Sequence, residues 1–289
     1  MFDLSFFDKL SEGFYFGSGG IGDMIMLLSS MFDKIGTKNI VFWANDANTI
    51  KSFIEPFKYP TKLWGIKNAI IFNGYPNGYL DMYKGMIAHK NFKGKAHFPD
   101  DFKFRDEWYN NAEHYKNLCH FPIKHLLQED VTPKAIGCML YGSDVDKWKI
   151  KALTQQEFSD VLKRLVTLYG TKKPIYIFGA ESEKQKQIIP SSLHNVVDYR
   201  GIPFKQVLDK THECEYFYCT DTWLKTWAMA IGRKSTVFKN TYTQSLFSVF
   251  GPGIMTDPGD KIFIDWKEYI TPTTIKEFLT LQDDEVFSL

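Results

Sequence analysis

Along the first part of the chain, short apolar runs alternate with glycine and polar clusters at a spacing that predicts strands followed by helices. Gly13-Phe14-Tyr15-Phe16 reads as a strand, Gly17-Ser18-Gly19-Gly20-Ile21-Gly22-Asp23 as a turn, and Met24-Ile25-Met26-Leu27-Leu28 as the core of a buried helix. A second apolar strand, Asn39 to Ala44, follows Gly36, and Asn45-Asp46-Ala47-Asn48 carries the residue types that start a helix. Ala69-Ile70-Ile71-Phe72 is strand-like, Asn73 to Gly78 is a turn cluster, and a helix is expected between Glu107 and Leu118. From Phe121 to Pro133 the pattern has prolines and no period, as a connection between two halves would.

The alternation restarts with a strand over Ala135 to Tyr141 and a helix over Glu157 to Tyr169. In that helix Phe158, Val161, Leu162, Leu165 and Val166 share one face. Strands at 175–178, 195–198, 215–219 and 235–238 then interleave with helices at 181–189, 204–211 and 222–231. The pattern predicts an α/β protein with two Rossmann-like domains, residues 1–130 and 131–272, and a ligand cleft where their strand C-termini face each other. Residues 273–289 are expected to form a terminal helix that packs back on the first domain.

Composition narrows this only a little. At 44% hydrophobic and 24% charged residues the chain is of ordinary globular make-up, and a net charge of +1 exerts no global pull toward nucleic acid or an anionic membrane. No apolar run is long enough to span a bilayer, and Met1-Phe2-Asp3-Leu4 lacks the basic start of a signal peptide, so a cytoplasmic location is expected. Cys119, Cys138, Cys214 and Cys219 form no close-spaced pair and read as free thiols.

Candidate chemistry falls on the predicted strand ends. Gly17, Gly19 and Gly22 satisfy a dinucleotide fingerprint, with Asp46 placed as a ribose-binding acid, which leaves an NAD-dependent oxidoreductase open as an alternative. Asp23 argues against it, because a carboxylate in the first helical turn repels a pyrophosphate bound there. Asp23 is either a helix cap or a general base that takes a proton from an attacking hydroxyl, with Gly19, Gly20, Ile21 and Gly22 beside the acceptor. In the second half Gly142 follows a strand end and Lys147-Trp148 comes next, with Lys147 placed to neutralise a phosphate. Glu181 and Glu183 stand at the start of a predicted helix, where a carboxylate either favours the helix or binds ribose hydroxyls. Asp221-Thr222 leads from a strand into a helix N-terminus, a geometry suited to a diphosphate, or else to Asp221 acting as an N-cap.

Taken in order, Gly22-Asp23 before an apolar helix, Lys147-Trp148, Gly179-Ala180-x-x-Glu183, Asp198 with Gly201, and Asp221-Thr222-x-Leu224 leading to Ala228-x-Ala230-x-Gly232 form a series. This series resembles the bacterial heptosyltransferases, glycosyltransferase family nine. The resemblance implies the GT-B fold and an inverting transfer from a nucleotide-sugar donor, with no bound metal or other cofactor. It implies that Asp23 is the base, that Lys147 and Thr222 hold the donor phosphates, that Glu183 binds the ribose, and that Asp221 touches the transferred sugar. Where the family has Asp-Thr-Gly-Leu-x-His, this chain has Asp221-Thr222-Trp223-Leu224-Lys225-Thr226, so Trp223 reshapes the donor pocket and the sugar need not be a heptose.

Two acceptor classes remain open, a glycan or lipid-linked sugar, and a hydroxymethylated pyrimidine of bacteriophage DNA. The second is suggested by Lys84, Lys90, Lys93, Lys95, Lys103 and Arg105 interleaved with Phe92, Phe98, Phe102 and Phe104. A metal site from His114, Cys119, His120 and His125 matches no familiar zinc spacing. A nucleotide-sugar-binding protein without catalysis is the remaining alternative.

Overall fold

The computed structural model describes residues 5–9, 13–31, 36–44, 46–57, 64–74, 85–86, 88–97, 122–123, 126, 130–142, 151–239 and 269–287. They fall into two compact units, one of the residues up to Ile123 and one from Leu126 onward. This sets the boundary slightly ahead of the expected Val131. The expected helix between Glu107 and Leu118 and most of the connection lie outside the described residues.

In the first unit, helix α1 (Ser5–Asp8) precedes β1 (Phe14–Gly19), α2 (Ile21–Met31), β2 (Gly36–Ala44), α3 (Ala47–Ile54), β3 (Trp64–Asn73) and β4 (Phe92–His97). The four strands form one parallel sheet in the order β3-β2-β1-β4. Strand β1 is central, and all six of its residues are buried, as expected of a strand covered on both faces. Gly17 packs closely there: a Cβ would lie 3.0 Å from the Phe42 ring and 3.1 Å from Leu27 of α2. Asn39 is a buried polar position bonded at both ends of its side chain: its amide donates to the carbonyl of Gly13, and its own oxygen accepts from Asn68.

The second unit holds β5 (Ala135–Met139), α4 (Gln155–Tyr169), β6 (Ile175–Ile177), β7 (Val196–Asp198), α5 (Phe204–His212), β8 (Cys214–Cys219), α6 (Trp223–Ala230), β9 (Lys234–Lys239), β10 (Ile270–Thr274), α7 (Ile275–Thr280) and α8 (Asp283–Phe287). Its sheet is parallel throughout, in the order β10-β9-β8-β5-β6-β7. The predicted face of α4 is the one that packs: Phe158, Val161, Leu162 and Leu165 are buried against Ile136, Cys138, Ile175 and Ile177. Thr154 and Glu157 cap its start reciprocally. Cys138, Cys214 and Cys219 are free and buried, as the sequence predicted, and burial pushes their thiols up, that of Cys219 to about 12.

Three expectations are corrected. The terminal helix packs on the second unit: Phe278 of α7 joins the α4 core, and Arg164 of α4 binds Asp283 and the carbonyl of Leu281. A strand, β10, precedes it, with Pro272 tolerated because the strand lies at the sheet edge. The helix expected over Glu181 to Ile189 is only a 3₁₀ turn, Glu181–Gln185, and the buried Arg200 guanidinium donates to the carbonyls of Glu183 and Gln187.

Candidate functional site

In an open parallel sheet, ligands bind beyond the strand C-termini at the point where the strand order reverses. In the first sheet the chain builds outward from β1 through β2 to β3 and then places β4 on the other side of β1. The reversal lies at the end of β1, which runs directly into Gly19-Gly20-Ile21-Gly22-Asp23. In the second sheet the reversal lies between β5 and β8. Those strands end in Leu140-Tyr141-Gly142 and Thr220-Asp221-Thr222. Each unit therefore presents segments singled out from the sequence at its own reversal.

At the end of β1, Gly19 has a φ of +122°, which a side chain would oppose. The backbone N–H of Gly20 donates to Asp23 Oδ2 across 2.8 Å. Asp23 thus occupies the third position of α2 and reaches back to the residue before it, half of a capping box, while remaining partly exposed. Gly20 and Gly22 are partly exposed too, whereas the Ile21 side chain is buried, so Ile21 can offer a ligand only its backbone.

The dinucleotide alternative does not fit this geometry. Gly17 and Gly19 belong to β1 itself, which leaves no glycine loop between strand and helix. Asp46 caps α3, accepting from the N–H groups of Asn48 and Thr49 and, at 2.6 Å, from the Thr49 hydroxyl. The hydrogen bond from Thr49 lowers its pKa.

Beyond β8, Thr220 donates its N–H to Met139 of β5, and Thr222 folds its N–H back to the Thr220 carbonyl at 2.7 Å. Thr222 is the N-cap of α6, with extended backbone (φ −121°, ψ 172°), yet its hydroxyl makes no capping bond. Among the described residues, the buried hydroxyls of Thr220 and Thr222 have no hydrogen-bond partner. The first N–H groups of a helix have no intrahelical acceptor, and the Thr222 side chain does not supply one here. Trp223 starts the helix with its ring against Phe204, 5.7 Å between centroids.

Asp221 is engaged on both oxygens. Lys151 donates to Oδ2 at 2.9 Å and Lys225, one helical turn on, donates to Oδ1. Burial alone would raise this carboxyl, but the two ammonium groups outweigh it and hold Asp221 well below the usual carboxylate range. Neither lysine was singled out in the sequence. The i, i+4 spacing of Asp221 and Lys225 was a readable signal; Lys151, seventy positions from Asp221, left none. Lys147 and Trp148 lie outside the described residues. Gly142 lies against Lys151: a Cβ on it would come within 2.5 Å of the lysine Cβ.

Beyond β6, Gly179 (φ +151°) makes room for Glu183, whose Oε2 lies 2.0 Å from where a Cβ would stand. Glu183 is buried beneath this turn. Asp198 binds Arg200 in a fork of two 2.8 Å hydrogen bonds. Arg200 in turn donates to the Gln187 carbonyl at 2.7 Å, and the Gln187 amide donates to the carbonyls of Leu140 and Leu153. Polar contacts thus run from the end of β7 to the end of β5.

Among the described residues no group of His, Cys, Asp and Glu is placed to hold a metal ion, and His114, Cys119, His120 and His125 lie outside them. No described helix is long and apolar enough to cross a membrane.

No family model and no curated protein matches the sequence. Among solved structures, E. coli heptosyltransferase WaaC with ADP matches 94% of this chain and 98% of its own at a TM-score of 0.51 and 11% identity. The same protein with ADP-2-deoxy-2-fluoro heptose gives a TM-score of 0.50 over the same shares, also at 11% identity. The glycosyl transferase family 9 structure from Veillonella parvula covers 96% of both chains at 11% identity and a TM-score of 0.43. The chain has the GT-B fold. The resemblance first read from short motifs therefore extends over nearly the whole length as a shared arrangement of strands and helices.

Proposed function

We propose that the chain is a glycosyltransferase that moves a sugar from a nucleotide-sugar donor to an acceptor hydroxyl. The observation that carries this is the N-terminus of α6, which lies at the strand-order reversal and where Thr222 makes no side-chain cap and, among the described residues, the buried hydroxyls of Thr220 and Thr222 have no hydrogen-bond partner. Such a site satisfies phosphate oxygens and stabilises the negative charge that develops on a leaving diphosphate. The E. coli protein of this fold was solved with ADP and with an ADP-sugar, which fits a nucleoside diphosphate here.

In this reading the nucleoside sits toward the Gly179 turn, where Glu183 binds the ribose, and Gly142, Lys147 and Trp223 complete the donor pocket. Asp23 deprotonates the acceptor hydroxyl, which attacks the anomeric carbon from the side opposite the diphosphate and inverts it. The hydrogen bond from Gly20 supports this role, since it fixes the carboxylate at the head of α2 while leaving the residue partly exposed. The acceptor is a glycan or lipid-linked hydroxyl. Lys90 of the basic stretch is paired with Asp8 at 2.7 Å, and residues 92–97 form a strand, which weakens the case for DNA.

The test is a panel of nucleotide sugars of varied base and sugar, scored by thermal protection and by donor hydrolysis or transfer. At least one is expected to raise Tm and be turned over. Protection by none of them, or by NAD instead, overturns the proposal.

A further inference from the structure

Resting on the donor reading above, we infer that the paired rings of Trp223 and Phe204 form the surface on which the planar base of the donor nucleotide stacks. Trp223 is the first residue of α6 and Phe204 the first of α5, and their rings meet at 5.7 Å between centroids with 57° between planes. Both helices begin just past strand C-termini, α5 after β7 and α6 after β8, so the ring pair lies on the edge of the sheet where a ligand is expected. A second tryptophan on α6 shows what a purely structural ring looks like there. Trp227 is 1% exposed, sits edge-on to His212 of α5, and donates its indole N–H to the Thr211 hydroxyl at 2.7 Å, closing the seam between the two helices. Trp223, one turn nearer the strand ends, is only half-buried, and its indole N–H has no hydrogen-bond partner among the described residues. A large ring kept partly in water at a strand end gains when a flat ligand covers it.

The ring pair adjoins the proposed phosphate site at one end and the proposed ribose turn at the other. Thr222, whose buried hydroxyl has no partner among the described residues, immediately precedes Trp223. Phe204 follows Gly201 by three positions, and Gly201 donates its N–H to the Gly179 carbonyl at 2.9 Å. A Cβ on Gly201 would stand 2.1 Å from Glu181 Oε2, so this turn is seated against the one that carries Glu183. Of the parts of a nucleotide sugar, the base alone is flat and aromatic, and it is attached to the ribose. Rings that border the ribose turn therefore suit the base better than the transferred sugar. Stacking reads the face of a base and not its edge, so the pair favours purines over pyrimidines by area and does not choose between adenine and guanine.

Wild type, Trp223→Ala and Trp223→Phe are to be compared by calorimetry with inorganic pyrophosphate, with ADP, UDP and GDP, and with their nucleotide sugars, and by tryptophan fluorescence. Trp223→Ala is expected to weaken the tightest-binding nucleoside diphosphate and its nucleotide sugar by the same factor, roughly ten-fold or more, with pyrophosphate affinity unchanged. Trp223→Phe, which keeps a ring, should recover most of that loss. The nucleoside diphosphate should also quench a part of the wild-type emission that is missing from Trp223→Phe. If Trp223→Ala does not fold, that difference in quenching decides the matter. Unchanged nucleoside diphosphate affinity in folded Trp223→Ala overturns the inference. So does a loss confined to nucleotide sugars, which would assign the ring to the transferred sugar, and so does a parallel loss of pyrophosphate, which would mean that the ring only holds α6 in place. All three leave the glycosyltransferase reading standing. Failure of the wild-type protein to bind pyrophosphate, every nucleoside diphosphate and every nucleotide sugar overturns both.

Discussion

The backbone N–H of Gly20 points at the Asp23 carboxylate, 2.8 Å away, so the residue proposed as base is also the clasp of its own helix. The two roles can be separated. Asp23→Asn keeps a side-chain oxygen for the Gly20 N–H and loses basicity and charge; Asp23→Ala loses the oxygen as well. Asp23→Asn is expected to melt close to wild type while turnover falls about a hundred-fold or more with donor affinity unchanged. Asp23→Ala should in addition lose about 1 kcal/mol of stability. Parallel denaturation and kinetic measurements check this, and full turnover in Asp23→Asn would reduce Asp23 to a cap.

Gly179 and Glu183 give a second prediction. A methyl group at Gly179 would stand 2.0 Å from Glu183 Oε2 and 3.3 Å from Arg200 Cγ, at a φ of +151° that side chains rarely adopt. Gly179→Ala must therefore displace Glu183 and strain the backbone, at a cost of roughly 1–3 kcal/mol. If Glu183 binds the ribose, affinity for the parent nucleoside should fall about ten-fold or more while pyrophosphate affinity is retained. Titration of the variant with nucleoside and with pyrophosphate separately distinguishes a ribose site from a purely structural carboxylate.

How far the sequence disclosed these features follows from what a sequence pattern records. The β1-α2-β2 unit and the buried face of α4 were legible because full burial writes long apolar runs and a helical stripe into the chain. Strands β4 and β10 were missed because edge strands need fewer apolar residues and tolerate Lys93, Gly94 and Pro272. The glycine fingerprint was misleading in part: Gly17 is a packing glycine against Phe42 and Leu27, and Asp46 is a helix cap. At the candidate site, Asp221 and Thr222 stood out by their place between strand and helix. The Lys151 pair and the Gln187 bridge join residues dozens of positions apart, and only the folded chain brings them together.

Gln187 carries a third prediction. It is 2% exposed, and its amide donates to the carbonyls of Leu140 and Leu153 at 3.0 and 2.8 Å. Gln187→Leu leaves the Leu153 carbonyl short of this donor and should cost roughly 1–3 kcal/mol in urea denaturation. Because the same bonds hold Leu140, just past the end of β5 at the strand-order reversal where the donor is proposed to bind, nucleoside diphosphate affinity should fall as well. A variant that is destabilised but binds as wild type would show that the bridge serves the fold alone.

His212 makes the stability of the second unit depend on pH. It is buried at the end of α5, its ring edge-on to Trp227 at 6.0 Å, and burial together with the Arg233 charge lowers its pKa to about 4. The unfolded chain has His212 near its ordinary 6.5 and so binds a proton there that the folded protein refuses. Between those two values the unfolded state holds more protons, and stability rises with pH. The contribution is complete above about pH 6.5 and is lost as the pH falls toward 4, amounting to roughly 1–3 kcal/mol. Asp221 is depressed too, with the same sign but in a lower window: its ion pairs contribute stability that is present above its ordinary 3.8 and lost only in stronger acid. The two windows therefore separate. Urea denaturation of wild type and His212→Gln from pH 4 to 7 should show the difference between the two proteins shrinking, or reversing in favour of the variant, as the pH drops. A difference that stays constant across that range would mean that His212 titrates alike in the folded and unfolded chains.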